Sequence, residues 1–82
     1  MNLYLISQTE NVGWDTYDSA VVCAPDRETA QNMNPSNGEW MTWESDPFNT
    51  WATAPEHVSV QFLGAADDEV PFGVVCASFN AG

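Results

Sequence analysis

Charge is unevenly distributed along this chain, and its distribution limits the folds that the chain can adopt. Four apolar segments, at residues 2–8, 19–24, 57–63 and 72–79, contain no Asp, Glu, Lys or Arg. Runs of roughly four to eight residues rich in β-branched and aromatic side chains, bounded by Gly, Pro or Asp, are typical of strands. The acids lie mainly between these segments and at their ends. The sequence therefore predicts a small sheet whose loops carry the charge.

The alternation of side chains assigns faces to two of the predicted strands. In residues 2–8, Leu3 and Leu5 share one face, whereas Tyr4 and Ile6 share the other. Residues 57–63 also alternate between two faces. One face is apolar and consists of Val58, Val60 and Phe62. The other is more polar and consists of Ser59, Gln61 and Leu63. The stretch 9–18 is predicted to be a loop, because it holds a glycine and several carboxylates.

A short helix is predicted after the second strand. Asp26 is a residue type that caps helix N-termini, and Glu28 falls in the first turn, where an acid suits the helix dipole. The helix is expected to end near Met33, because the next residue precedes a proline and so disfavours helical backbone. Ala30 and Met33 are its predicted inward-facing residues. A helix of about two turns needs tertiary packing to be stable.

These elements predict a single small domain, residues 1–82, of the α+β class. We expect a four-stranded, mostly antiparallel sheet in the order β-β-α-β-β, with one short helix covering one face. Residues 34–56 contain three prolines and three of the four tryptophans, so they are predicted to form a long aromatic loop over part of the sheet or its edge. Short elements within this loop, including a further strand, are the alternative.

The pattern Val-Val-Cys-Ala occurs twice, at residues 21–24 and 74–77. Four residues are too few to indicate a duplication, so both segments are predicted to be central strands with similar burial. If the two strands pair, Cys23 and Cys76 come close together. A reduced, buried pair is favoured over a disulfide, because free cysteine packs as a small hydrophobic residue and cytosolic thiols are kept reduced.

The acids greatly outnumber the basic side chains, which restricts the partners that the chain can bind. The sequence contains 12 Asp and Glu residues against Arg27 as the only Lys or Arg, and the formal net charge is -11. Affinity for nucleic acid comes from Lys and Arg contacts to phosphate, so direct nucleic-acid binding is disfavoured. A surface rich in carboxylates is instead suited to the basic groove of a nucleic-acid-binding protein. Solubility alone is the alternative explanation, although a net charge of about 2–8 is sufficient for it.

The sequence shows no catalytic, metal-binding or cofactor-binding constellation. Cys23, His57 and Cys76 lie far apart, whereas a structural zinc site needs about four closely spaced ligands. Both cysteines lie in apolar runs, where a thiol is inert rather than activated. The glycines are scattered, and the chain lacks the lysine of a phosphate-binding loop. We therefore predict a binding protein without metal or cofactor rather than an enzyme.

The predicted partner-binding residues combine carboxylates with tryptophans in two parts of the chain. They are Glu39, Trp40, Trp43, Glu44 and Asp46 in the aromatic loop, and Asp67, Asp68 and Glu69 in an exposed acidic turn. Carboxylates attract a basic partner over a distance, and tryptophan is enriched at the centres of protein interfaces. Most of the four tryptophans are expected to be structural, with one or two of Trp40, Trp43 and Trp51 exposed.

Several stretches of the sequence resemble a group of small uncharacterised phage and prophage proteins. They are residues 4–8, 15–22, the predicted helix with residues 34–36, and residues 77–81. The resemblance covers most of the chain, carries no catalytic motif and implies a phage-encoded accessory protein made inside a bacterium. The small size and acidity are also similar to those of anti-CRISPR and other anti-defence proteins, several of which act as DNA mimics. This second resemblance is one of class and transfers no residues.

The sequence thus predicts a phage-encoded inhibitor that binds a basic, nucleic-acid-binding surface of a host defence protein, such as a CRISPR effector or a nuclease. The expected location is the cytoplasm of the bacterial host, because residues 1–6 lack the basic start of a secretory signal. Membrane contact is not expected, because anionic lipid repels an acidic chain. The alternative is a phage structural or assembly protein that forms a homo-oligomer through an apolar interface, with acidity serving solubility alone.

Overall fold

The described residues of the protein form four strands and one short helix. The computed structural model describes residues 1–43 and 50–80. The strands are β1 (Asn2–Ser7), β2 (Thr16–Ala24), β3 (Ser59–Ala65) and β4 (Gly73–Asn80), accompanied by helix α1 (Arg27–Gln31) and a 3-10 turn at Pro55–His57. The α+β class is confirmed at this level, since the strands form one four-stranded antiparallel sheet with a short helix.

The strand order in the sheet is β3-β1-β2-β4, and each neighbouring pair is antiparallel. β1 and β2 form a central hairpin, while β3 and β4 lie at opposite edges. The segment that joins β3 to β4, residues 66–72, therefore passes from one edge of the sheet to the other and is called the crossover. It lies at the end of the sheet where β1 and β4 begin, the crossover end. The opposite end, where a loop joins β1 to β2, is the hairpin end.

One face of the sheet supports the hydrophobic core. Tyr4 lies opposite Val22 and Ile6 lies opposite Ala20 in the β1–β2 pairing, and all four side chains are buried. The helix and the loops complete the core with Ala30, Met33, Met41, Trp51, Ala52 and Val58. The apolar side chains of the helix and the loop after it thus cover this face, as amphipathic elements do when they pack in layers.

The other face of the sheet, called the open face, is largely uncovered in the described part of the chain. Its register positions place Leu5 opposite Val21 and Gln61, and Val21 opposite Cys76. Leu5 and Val21 are half-buried among their neighbours, whereas Gln61 and Cys76 on the edge strands are exposed. Alternation along β1 therefore predicted its two faces correctly, and the open face is the one that contains Leu5 and Leu3.

Strand β2 begins earlier than the sequence predicted. Residues 9–18 are not all loop, because Thr16 and Tyr17 already pair with Asn80 and Phe79 of β4. The register shifts after Tyr17, so that Asp18 is the extra residue of a bulge. The Asn80 side-chain amide Nδ2 donates to Asp18 Oδ1 at 2.7 Å. The bulge and this hydrogen bond accommodate an acid inside a strand.

Helix α1 begins where the sequence predicted. Asp26 Oδ1 accepts a hydrogen bond from the Thr29 backbone N–H at 2.8 Å. Hydrogen bonding to Thr29, through its side chain and then its backbone, holds the pKa of Asp26 below its usual value. Ala30 and Met33 are buried, as expected. At five residues the helix is shorter than two turns, and its contacts with β1, β2 and β3 supply the packing that so short a helix requires.

The predicted aromatic loop is described except for residues 44–49. After α1 the chain doubles back, with Met33 and Trp40 forming an isolated antiparallel bridge. We call residues 33–40 the loop hairpin. Gly38 in its turn has φ 78°, and a Cβ at this position would lie 3.5 Å from the Gly73 Cα. The turn therefore needs the left-handed freedom of glycine and packs closely against the start of β4.

The two Val-Val-Cys-Ala segments pair with each other but have different environments. Val21 of the first lies opposite Cys76 of the second in the β2–β4 pairing. Because β2 is central and β4 lies at the edge, the expectation of two central strands with similar burial is wrong. Both cysteines are free, yet Cys23 is buried and Cys76 is exposed, so the expected buried pair is also wrong.

The loop between β1 and β2 is fastened to the segment before β3 by one carboxylate. Glu10 Oε1 accepts hydrogen bonds from the Thr53 backbone N–H at 2.7 Å and from the Thr53 hydroxyl at 2.8 Å. The second carboxylate oxygen lies 3.5 Å from His57 Nδ1. These hydrogen bonds, the backbone one first, hold the pKa of Glu10 below its usual value. The ionised carboxylate is therefore the form that the folded protein favours.

Two valines offer a matched test of the one-sided core. Val22 is fully buried, whereas Val75 on edge strand β4 is 51% exposed. We expect Val22→Ala to lower the free energy of unfolding by about 2 kcal/mol, because it removes buried methyl groups and leaves a cavity. Val75→Ala should change it by less than about 0.5 kcal/mol. Urea denaturation of both variants measures this, and equal losses would contradict the assignment of the buried face.

The hydrogen bonds between the Glu10 carboxylate and Thr53 predict that the stability of the protein depends on pH. Because folding lowers the pKa of Glu10, its stabilisation is fully present above the pKa of the unfolded chain, about 4.5, and is lost as the pH falls through the lower folded value. The melting temperature of the wild type should therefore exceed that of Glu10→Gln at neutral pH, and this difference should disappear on acidification. Glu56→Gln, which removes the same charge from the nearby 3-10 turn, is the control. If the melting temperatures of the wild type and Glu10→Gln still differ at acidic pH, the ionised Glu10 carboxylate is not the source of the stabilisation.

Candidate functional site

The carboxylates of the described residues lie mostly at the two ends of the sheet. The crossover end carries the acids of the crossover, Asp67, Asp68 and Glu69, together with Asp26 where α1 begins. The hairpin end carries a second set, namely Glu10, Asp15, Asp18 and Glu56. The strands between the two ends contain Asp18 as their one acid. The antiparallel topology thus brings these acids to two regions, because the tight connections between antiparallel strands lie at the ends of the sheet.

The crossover is fastened to the sheet at several points. The Ala66 backbone N–H donates to the Met1 carbonyl at 2.9 Å. Further along, the Val70 carbonyl lies 3.7 Å from the thiol of Cys23, which is buried beneath it. These contacts hold the acids between them, residues 67–69, against the end of β1 and β2.

The acidic turn within the crossover is itself ordered by hydrogen bonds. The Glu69 backbone N–H donates to Asp67 Oδ1 at 3.0 Å, and the Val70 N–H donates to the Asp67 carbonyl at 3.0 Å. Asp67, Asp68 and Glu69 are all exposed, as predicted for this turn. One carboxylate therefore shapes the turn, and a partner meets a fixed backbone rather than a disordered acidic tail.

The loop hairpin brings a second predicted segment to the same end of the sheet. Its turn lies against the first residues of β4 through Gly38, and the crossover leads directly into β4. Glu39 N–H donates to Asn37 Oδ1 at 2.9 Å, which orders this turn as well. Trp40 is 58% exposed. Glu39 and Trp40 thus directly follow a glycine that lies against the start of β4, the strand that the crossover enters.

The remaining predicted contact residues are placed differently. Trp43 is half-buried against the core, and its indole Nε1–H donates to Asn32 Oδ1 at 3.0 Å. With its donor satisfied and much of its ring covered, Trp43 has the contacts of a structural residue. Glu44 and Asp46 lie outside the described residues, so their part in the surface stays a prediction. Trp51 is buried and Trp40 exposed, so of the three tryptophans named together one is exposed, as expected.

Sequence reasoning missed four exposed aromatic residues, of which Phe62 and Phe79 lie on the edge strands β3 and β4 and the other two lie in loops. Phe72 ends the crossover and is 51% exposed, although its segment was predicted as a strand of the core. Trp14 is 76% exposed in the loop of the hairpin end. A single residue before a strand gives no periodic signal, and the composition of the loop gave no reason to expect exposed apolar surface there. The Trp14 loop borders an open pocket of about 400 Å³, lined by Val12, Gly13, Trp14 and Asn80.

Arg27, the only Lys or Arg of the chain, follows Asp26 directly at the start of α1. Its guanidinium Nη1 donates to the Val60 carbonyl on edge strand β3 at 2.8 Å. This hydrogen bond satisfies a backbone acceptor rather than a carboxylate. The three consecutive exposed acids of the crossover, Asp67, Asp68 and Glu69, therefore give this end of the sheet a net negative field.

Among residues 1–43 and 50–80, no three His, Cys, Asp or Glu side chains form a group that could hold a metal ion. Within the same residues, no helix is long and apolar enough to cross a membrane. No protein-family model, curated protein or solved structure matches the chain significantly.

Proposed function

We propose that this protein is an inhibitor that binds a basic, nucleic-acid-binding surface of another protein. The observation that carries the proposal is the exposed, hydrogen-bonded turn of Asp67, Asp68 and Glu69 at the crossover end, with the turn of the loop hairpin, which leads into Glu39 and Trp40, lying against the start of β4. Carboxylates attract a basic partner over a distance and speed the encounter. An exposed tryptophan supplies the apolar contact that holds it.

The crossover presents a run of negative charges, as a nucleic-acid strand does. Asp67, Asp68 and Glu69 are three consecutive exposed carboxylates. A DNA strand carries one charge per roughly 3.4 Å of axis. A groove built for nucleic acid would therefore attract either ligand, and the two ligands would compete for it.

The resemblance to small phage proteins sets the proposed context. The partner is a host defence protein in the bacterial cytoplasm, with a CRISPR effector or a nuclease as the leading candidates. Such proteins carry basic grooves because nucleic-acid affinity arises from Lys and Arg. In this proposal the chain acts by occupancy alone and uses neither a cofactor nor a catalytic group.

The direct test is competition rather than capture alone. The immobilised protein is exposed to bacterial lysate at low salt, and retained proteins are eluted with increasing salt and identified. Each purified candidate is then offered a labelled duplex DNA with and without this protein. We expect mutual exclusion, and we expect polyglutamate of equal charge to compete less well because it lacks the fixed shape. A ternary complex with DNA, or retention that is indifferent to salt, would count against mimicry.

Single charge reversals identify the end of the sheet that is used. Asp68→Lys changes the crossover end and Glu56→Lys changes the hairpin end by the same two charge units, and both residues are exposed. We expect Asp68→Lys to weaken binding of the captured partner about tenfold at low salt, mainly by slowing association. Glu56→Lys should have a much smaller effect. The proposed site is wrong if the two variants weaken binding equally.

A homo-oligomer remains the second candidate, and the open face is the observation that favours it. The residues at its register positions are uncharged: Leu3, Leu5, Ser7, Ser19, Val21, Cys23, Gln61, Cys76 and Ser78. Two copies that pack these faces together keep their acids at the ends. Four strands of about seven residues cover roughly 19 Å by 23 Å. Such an area is about half of the 800 Å² per partner of a standard interface, so the dimer would be weak.

Ionic strength separates the two candidates. Because each copy carries a charge of -11, screening should favour a dimer, whereas it should weaken binding to a basic partner. Light scattering on concentrated protein should therefore show the mean mass rising with salt if the open face pairs. Gln61→Glu places a charge on that face and should abolish the rise, while Thr42→Glu adds the same charge in an exposed loop and should not. A monomer at all salt concentrations would eliminate this candidate.

A further inference from the structure

The loop at the hairpin end has a hydrogen-bonded backbone and carries an exposed indole. Gln8 is buried, and its side chain joins the start of the loop to β2. Its Nε2 donates to the Asn11 carbonyl in the loop at 2.6 Å and to the Tyr17 carbonyl in β2 at 2.9 Å. Its Oε1 accepts from the Asn11 N–H at 2.7 Å. The Thr16 hydroxyl donates to the Gly13 carbonyl at 2.6 Å. These hydrogen bonds lie on either side of Trp14 along the chain. At 76%, Trp14 is the most exposed large apolar side chain among the described residues.

The residue after Trp14 is held in an uncommon backbone conformation. Asp15 has φ 59°, in the left-handed region that non-glycine residues seldom occupy and that Asp and Asn tolerate best. Its N–H donates to the Asn80 carbonyl at 2.6 Å, which ties the loop to the end of β4. Unusual backbone conformations of this kind persist when the surroundings determine them, and they concentrate at binding sites. The loop is thus ordered before any ligand arrives, which reduces the entropy cost of binding.

The described residues that line the pocket beside this loop include a hydrogen-bond acceptor but no positively charged side chain. It has a volume of about 400 Å³ and is lined by Val12, Gly13, Trp14 and Asn80. Asn80 Nδ2 donates to the Asp18 carboxylate at 2.7 Å. Because an ionised carboxylate can only accept, this contact fixes the Asn80 amide with its oxygen directed away from Asp18. The exposed carboxylate of Asp15 adjoins the pocket in sequence and adds negative charge.

The chain supplies neither Lys nor Arg to this end of the sheet, where its lone histidine, His57, lies beside Glu10. Arg27 is its only Lys or Arg, and its Nη1 is bonded to the Val60 carbonyl on β3. Strand β3 lies at the opposite edge of the sheet from β4, to which Asn80 belongs. The indole face and the nearby carboxylates are therefore left without the positive partner that such a pair favours. Cations within about 6 Å of an indole face gain roughly 0.5–2 kcal/mol.

We propose that the pocket formed by Val12, Gly13, Trp14 and Asn80 binds a guanidinium group, stacked on Trp14 and neutralised by Asp15 and Asp18. A planar guanidinium suits this arrangement better than an ammonium, because it stacks on an aromatic face while its N–H groups reach acceptors in its own plane. The amide oxygen of Asn80, which lines the pocket, is one such acceptor, and we infer the second to be the exposed carboxylate of Asp15, the residue after Trp14. The source of the group is an arginine side chain of a protein or a small guanidinium compound, since both carry the same chemistry. The inference stands apart from the proposed function, because it concerns the other end of the sheet.

The test uses small probes at constant ionic strength, so that screening is the same throughout. The intact protein is titrated with N-acetyl-arginine amide while the indole N–H signals are followed by ¹⁵N NMR, with Trp14 assigned by its loss in Trp14→Leu. N-acetyl-citrulline amide, an uncharged isostere, and N-acetyl-lysine amide are the parallel probes. We expect saturable shifts at Trp14 and at the Asn80 side-chain amide with arginine, with a dissociation constant on the order of 10 mM from contacts of this strength. Methylguanidine reproduces the shifts if the group alone is recognised, and fails to do so if the arginine backbone also contributes.

Matched variants separate this pocket from general attraction to an acidic protein. Trp14→Leu should remove saturation, whereas Trp40→Leu, at an indole 58% exposed at the crossover end, should leave it intact. Asp15→Asn keeps a side chain that tolerates φ 59° and should weaken binding about threefold to tenfold. Unchanged methyl-signal dispersion shows that each variant remains folded. Equal shifts with citrulline, or equal loss from Trp40→Leu and Trp14→Leu, would overturn the inference.

Discussion

A chain with one Lys or Arg cannot neutralise its carboxylates by forming ion pairs with itself, and much of the structure follows from that constraint. The acids find hydrogen-bond donors that carry no charge. Asp26 accepts from the Thr29 N–H, Glu10 from the Thr53 N–H and hydroxyl, and Asp67 from the Glu69 N–H. Hydrogen bonds from backbone N–H groups to ionised carboxylates are among the stronger ones available in proteins. The acids consequently act as local organisers of turns and caps, where such donors are otherwise unsatisfied.

This use of carboxylates explains where the charge lies. Backbone donors inside the sheet are consumed by strand pairing, so an acid within a strand has few donors to accept from. Free donors occur in turns and at helix starts, and in an antiparallel sheet the turns lie at the two ends. Asp18 is the instructive exception, because it occupies a bulge and accepts from the Asn80 amide instead. Hydrogen-bond supply and topology together bring most of the described acids to the ends of the sheet and leave the register positions of the open face uncharged.

The same physical rules decide how much of the structure the sequence could predict. The strands could be predicted because they are apolar and contain almost no charge. The helix could be predicted because Asp26, Ala30 and Met33 each give a local sequence signal. The order of the strands in the sheet depends on which strands pair with one another. This pairing joins residues far apart in the sequence, so no local sequence pattern predicts it. The similar segments around Cys23 and Cys76 therefore suggested equal burial, although one lies in a central strand and the other at an edge. The acidic turn was predicted because a charge run in a loop is exposed, whereas the exposure of Trp14 depends on how Gln8 and Asn80 hold its loop, which only the fold reveals.

Separation of charge from apolar surface gives this small domain three regions with different physical responses. The crossover end joins a negative field to Trp40 and Phe72, so contacts made there are strengthened when salt is low. The open face carries no charge at its register positions, so contacts made there gain when salt screens the repulsion between two acidic bodies. The hairpin end combines an exposed indole with carboxylates, and the guanidinium pocket proposed there would select for the shape of a cation as well as its charge. A fold with a single-sided core is what makes this division possible, because a second covering layer would occupy the open face and bring charged loops over it.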